Sequence, residues 1–335
     1  TALIRASVTS LKPLSPGHFQ FPFKSIIFQA GPRSSMKKAK TNTSFVKAAL
    51  CAFGLCLSLC LFSQTTTNIS GIVNTYHRVV EIIPAKACIR VSSTTGLNVN
   101  TPILLVQMKG ASISTANNST FGDTTSLNAA GSYEVGTICG IISDSVFLFH
   151  QLLNTYNVST GKVQLVQFAS YYSANVIDTV KAQPWDSTAG TGGVIALFAT
   201  QDLTLNAPVY ADSSGYRGGA YVLSNGTCSN IPAASSYVYN AASTGPQNGA
   251  YKGESVANLP PANNGGRGAP ANGGGGGNNH NNSGGGGANL NAGGTGGGNS
   301  SSTGCSTTIR GEAGKPLQSW SGQNIFWWRW WRGTC

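Results

Sequence analysis

Of the 335 residues, 21 are Lys or Arg and 10 are Asp or Glu, so only 9% carry a formal charge, while 43 are glycine. An ordinary soluble domain has about 25% charged residues and about 7% glycine, which makes a cytosolic enzyme a poor fit. The nominal balance of +11 would suggest nucleic acid, but position removes that partner: eight bases and no acids fall in residues 1–64, leaving 13 bases against 10 acids in a near-neutral body with no basic stripe.

The chain opens on Thr1, and residues 1–35 carry no helical or strand period; Pro13, Pro16, Pro22 and Pro32 interrupt any long element. This stretch reads as upstream sequence translated in error. From Met36 the pattern changes. Lys37, Lys38 and Lys40 precede an apolar run from Ala48 to Phe62 that ends at the small Ser63. Residues 36–64 therefore read as a secretory signal peptide. An uncleaved membrane anchor is the rival, although a span needs about 20 apolar residues. Leu57-Ser58-Leu59-Cys60 has the outline of a lipobox, with Leu59 where a small residue belongs.

Residues 65–190 read as a β-rich module. Pro102 to Met108, Tyr133 to Ile142, Val146 to Phe149 and Val163 to Phe168 are short runs rich in Val, Ile, Leu and aromatics, separated by turn residues. The expected fold class is all-β, a small antiparallel barrel or sandwich. Residues 191–260 read as a β-solenoid-like segment. Gly192 to Phe198 opens it, and Leu203, Leu205, Ala207 and Val209 then alternate with polar or turn residues around a bend near Asn206-Ala207. A single coil of that kind needs neighbours to cover its ends.

Residues 261–315 are glycine-rich and of low complexity: 18 of the 40 positions from 265 to 304 are glycine, with Arg267 the one charge among them. Such a stretch buries too little apolar surface to offset about 1–2 kcal/mol of backbone entropy per ordered residue. The default expectation is a flexible, non-globular extension. The competing reading is a stack of polyproline II strands whose missing side chains let backbones approach. In 316–335, five of the chain's six tryptophans crowd into Trp320 to Cys335. Codons for Trp327 to Arg332, read one register over, are glycine codons, so this tail reads as frameshifted; a cationic membrane-active tail is the alternative.

Outside the leader and the tail, Cys88, Cys139, Cys228 and Cys305 are candidate disulfide cysteines, because spaced cysteines in an exported chain suit structural bridges. Three pairings are open; Cys88 with Cys139 and Cys228 with Cys305 would keep each bridge within one composition zone. Isolated half-buried thiols are the competing reading. No C-x-x-C, G-x-S-x-G or H-E-x-x-H occurs, and no Asp lies between 213 and 315 to build repeat-type calcium loops. No catalytic residue, cofactor or metal is therefore assigned. A carbohydrate-active β-helix enzyme, such as a polysaccharide lyase, would need to gather acids from Asp178, Asp186, Asp202 and Asp212 around a base such as Lys181 or Arg217.

Thr94-Thr95-Gly96-Leu97 through Ile103 to Ala111, Asn128 to Glu134, Leu152 to Tyr156, Tyr216 to Ala220, Lys252-Gly253-Glu254 and Gly265 to Asn281 together resemble the N-terminal region of large secreted proteins of gliding bacteria. In those proteins the region precedes adhesin-like repeats and a C-terminal sorting domain of the type IX secretion system. The resemblance covers roughly 70–305. It implies export, a cell-surface or extracellular place and contact with the secretion machinery, with the sorting domain missing from this chain. The function expected is a secreted or surface structural protein of adhesin type, acting by weak multivalent contacts with surface polysaccharide or other cell-surface components. Carbohydrate-active enzyme is the alternative, and membrane is met only through the signal peptide.

Overall fold

The computed structural model describes residues 65–222, 236–241, 250–278, 282–289, 291–299 and 305–317. The upstream stretch 1–35, the leader 36–64, Cys228 and the tail from 318 onward lie outside them. The described residues are predominantly β. In chain order the strands are β1 (Thr66–Gly71), β2 (Thr75–Ile83), β3 (Cys88–Val91), β4 (Pro102–Gln107), β5 (Ser112–Ile113), β6 (Thr124–Ser126), β7 (Tyr133–Ile142) and β8 (Ser145–Leu148). A four-residue helix, α1 (Val158–Gly161), follows, capped by the Asn157 side chain on the Thr160 amide. Then come β9 (Val163–Gln167), β10 (Ser170–Tyr171), β11 (Ser173–Lys181), β12 (Phe198–Ala199), β13 (Leu203–Leu205) and β14 (Val209–Tyr210).

Six strands close on themselves in the order β2-β3-β8-β7-β4-β9, with every neighbouring pair antiparallel. Closure removes the exposed edges that an open sheet would leave. The interior follows from alternation. Val79, Ile89, Ile103, Leu105, Ile138, Val146, Val163 and Leu165 point inward into one cluster, each worth about 1.5–3 kcal/mol when fully buried. Gly136 faces Leu148, where an added Cβ would lie 3.2 Å from a Leu148 methyl. β4 departs from simple alternation because its outer face is covered too: Leu104 and Val106 pack with Val166, Phe168 and Val194. Burial on both faces is why Ile103 to Val106 reads as an unbroken apolar run.

The second sheet is parallel. β11 pairs with β1 on one side and with β13 and β14 on the other, bringing Asn68, Asn175 and Thr204 into one register and Ile69, Val176 and Leu205 into the next. The barrel, residues 75–167, is thus inserted between the first and second rungs of a parallel stack. The rungs come from both sides of residue 190, so the expected division at that point is not a division in the packing. Ile69, Ala174, Val176, Val180, Ala182, Ile195 and Ala211 form the core of the stack. The alternation at 203–209 appears as β13 and β14 with the break at 206–208. The run Gly192 to Phe198 does not form one strand. Gly192 and Gly193 take φ of +99° and +73°, and strand pairing begins only at Phe198, where β12 meets β10.

The glycine-rich residues correct the expectation of a non-globular extension. Gly273 to Gly277 are buried, and their backbone bonds reach four other segments. Gly274 and Gly277 carbonyls accept from the Gly253 and Ala250 amides, Gly275 donates to Glu312 and accepts from Gly285, and Gly276 donates to Gly266. A β-strand has two hydrogen-bonded neighbours; a polyproline II helix, with three residues per turn, points its groups in three directions. The period is visible in the pairs. Ser283 and Gly286 donate to Gly297 and Gly294, Gly293 and Gly296 donate to Gly314 and Gly311, and Gly311 and Gly314 donate to Ser283 and Gly286. Each partner recurs at every third residue. These segments are ordered by backbone bonds to one another rather than by burying side chains.

Candidate functional site

The acids suggested for a carbohydrate-active site do not assemble. Asp178 is exposed on β11 and accepts from the Thr179 amide at 2.6 Å. Asp202 and Asp212 are exposed before β13 and after β14, and Lys181 and Arg217 are exposed as well. Asp186 is bound up in its own turn: it accepts from the Ala189 and Thr188 amides at 3.0 and 2.8 Å. Those two bonds, with Arg217 and Lys162 nearby, hold its carboxyl below the usual carboxylate range. Among the described residues no group of three or more His, Cys, Asp or Glu is placed to hold a metal ion.

The cysteines are also redistributed. Cys88 is a buried free thiol and Cys139 an exposed one, which corrects the pairing of the two. Both β3 and β7 bond to β8, which lies between them, so the two positions are two strand spacings apart, about 10 Å, beyond the reach of a disulfide. Cys305 is disulfide-bonded, with its partner outside the described residues, as Cys228 is.

What the parallel stack does bring together is a row of asparagines. Asn206 donates its side-chain amide to Asn175 Oδ1 at 2.8 Å, and Asn175 donates in turn to Asn68 Oδ1 at 3.3 Å. Asn68 and Asn206, with Thr66, Ser70 and Thr204, are exposed. Asn68 and Asn175 stand in one register, about 4.8 Å apart, and Asn206 follows just past Thr204, the residue opposite Asn175, so neutral donors and acceptors gather on one face. The chemistry available there is hydrogen bonding to uncharged polar groups, with no titrating member in the row.

A second cluster joins barrel, stack and glycine segments, and sequence reasoning did not find it. Lys109, just past β4, lies 2.8 Å from Glu254. Trp185 Nε1 donates to both Glu254 oxygens at 3.0 Å, and the Arg217 amide donates to Oε2 at 3.2 Å. Tyr216 packs edge-on against Trp185, at 5.4 Å between centroids, lies beneath Lys109, and donates its hydroxyl to the Met108 carbonyl. Burial foremost, and then Glu254, push the Tyr216 phenol up. The signal for this joint was scarcity. Glu254 and Glu312 are the only acids after Asp212, and Trp185 is the one tryptophan before the tail. Both acids are paired, Glu312 with Arg267 at 3.5 Å.

No protein-family model matches the chain, and no curated protein does. Among the solved structures similar to part of it are two tailspike proteins. One is the Gp54 tailspike of Acinetobacter baumannii bacteriophage AP22 in complex with A. baumannii capsular saccharide, at 6% identity and a TM-score of 0.22 over 36% of this chain. The other is the tailspike protein gp49 from Pseudomonas phage LKA1, at 12% identity and a TM-score of 0.20 over 35% of this chain. The chain spans 20% of the length of each. No helix among the described residues is long and apolar enough to cross a membrane.

Proposed function

We propose that this chain is a secreted or cell-surface structural protein of adhesin type, which holds a hydroxyl-rich surface polymer through many weak contacts and performs no catalysis. The observation that carries this reading is the asparagine row on the parallel stack, with Asn68 and Asn206 exposed and Asn175 half-buried between them. Uncharged amides gathered on one face suit the hydroxyls of a polysaccharide, and repetition along a longer chain would turn weak single contacts into useful retention. The parallel stack is read as a short β-solenoid carrying that face, with the barrel as an insertion. Export through the leader 36–64 and the type IX route belongs to the same reading.

The test is retention of the full chain on immobilised capsular or exopolysaccharide, with reducing-end release measured in parallel. Retention that falls several-fold in Asn175→Ala, without release of reducing ends, is the expected result. Polysaccharide turnover abolished by Asp202→Ala or Asp212→Ala would instead make the chain a carbohydrate-active enzyme and overturn the reading.

A further inference from the structure

The glycine segments lack what usually drives a chain to collapse. Their interior contacts are backbone on backbone, as at Gly275, where an added Cβ would lie 1.9 Å from the Arg267 carbonyl. Hydrogen bonds contribute little net stability when water offers the same bonds to the open chain, and glycine loses the most conformational freedom on ordering. Something outside the glycine layers must therefore fix their first segments.

The barrel supplies a candidate. Between β5 and β6 it extends a finger, residues 114–123, whose tip carries Phe121, fully buried although it is remote from the barrel core. Lys252 lies over the Phe121 ring at 4.2 Å. Its Nζ donates to the carbonyls of Gly266 and Gly268 at 2.9 and 2.6 Å, and to that of Tyr237. Gly268 sits directly against the ring, where a Cβ would come within 2.6 Å of Phe121 Cδ1. Beside it the Gly122 carbonyl accepts from the Ala271 amide, Lys315 donates to the Phe121 carbonyl and pairs with Asp123, and Asn117 accepts from the Tyr237 and Val238 amides. One apolar side chain and two lysines thus pin three separate glycine segments to a loop of the barrel.

We propose that this finger is a conformational latch: the glycine bundle is ordered only when docked on the folded barrel, whereas the barrel stands without the bundle. The dependence runs one way, because the barrel closes its own hydrogen bonds and core, while the bundle's apolar anchorage is on the barrel side: Phe121 of the finger, and a smaller cluster in which Val256 and Ala271 meet Ala111 and Ala130. Such an arrangement keeps a glycine-rich chain open until the barrel has formed.

The experiment is amide hydrogen exchange on the intact chain and on Phe121→Ala and Lys315→Met, following Gly275, Gly276, Gly285 and Gly286 in the bundle against Leu104, Leu105, Leu165 and Val166 in the barrel. In Phe121→Ala the bundle amides are expected to lose protection by tenfold or more while the barrel amides keep theirs. Lys315→Met should show the same pattern to a smaller degree. Bundle protection unchanged in both variants would overturn the latch. So would parallel loss in barrel and bundle, since the two would then be one cooperative unit.

Discussion

At the scale of single residues, the glycines fall into two kinds that composition does not separate. Gly275 is hemmed in by the Arg267 carbonyl and the Glu312 amide, whereas a Cβ on Gly294 would meet nothing within 4 Å. Gly275→Ala should therefore cost about 2 kcal/mol or more, in the range of overpacked cores. Gly294→Ala should be neutral or stabilising by about 0.4–1 kcal/mol, because it restricts the unfolded chain without strain; denaturant midpoints of the two variants would show the difference. The charged residues divide in the same way. Removing Glu254 leaves Lys109 without its acid at a site where both are largely buried, so Glu254→Ala should cost about 3–5 kcal/mol, read from the thermal midpoint. Arg90, exposed between Glu81 and Asp144, should lose little when replaced, because water screens such pairs. The sequence marked the scarcity of charge but not its use: that Lys252, Glu254, Glu312 and Lys315 pin backbone layers depends on partners up to nearly 200 residues away.

Individual elements were legible where their cause was local. The apolar runs that became β4, β7, β8 and β9 follow from residue type and turn chemistry, and the break between β13 and β14 follows from Asn206-Ala207-Pro208. The parallel pairing of β1 with β11 was not legible, because nothing near Thr66 points across a 90-residue insertion. The glycine segments hid their structure for another reason. A strand or helix writes its period into alternating side chains, but a threefold glycine helix has none to alternate, and its period appears only in which amide meets which carbonyl. The asparagine row is the feature of the stack most open to test. Asn175 takes part in both bonds, so Asn175→Ala should lower stability by about 1–2 kcal/mol, from two net hydrogen bonds, measured by denaturant unfolding.

The whole molecule has a pH response set by its buried groups. Burial pushes the phenols of Tyr76, Tyr156, Tyr171, Tyr216 and Tyr239 up. Above about pH 10 the unfolded chain releases those protons while the folded chain keeps them, so stability should fall as pH rises through that value. Burial pushes His77 down, against a backbone bond at Ser93, and it also pushes Lys252 down, opposed by Glu312 and by three carbonyl bonds that use all three ammonium protons. Unfolding then takes up a proton on His77 below about pH 6.5, so stability should also decline as pH is lowered through that value. Thermal midpoints across pH 5–11 should be highest between about pH 7 and 10; a maximum at or below pH 6 would contradict these assignments.

The central claim is that the described glycine-rich residues between 250 and 317 form a packed, threefold bundle of backbones rather than an open chain. Native-state amide hydrogen exchange on the unmodified chain tests it most directly. The account predicts slow exchange at Gly253, Gly275, Gly276, Gly285, Gly286, Gly293, Gly296, Gly311 and Gly314, whose amides all donate to carbonyls of neighbouring segments. Exchange at the rates of an unstructured peptide across these glycines, with the β4 and β9 amides still protected, would contradict it.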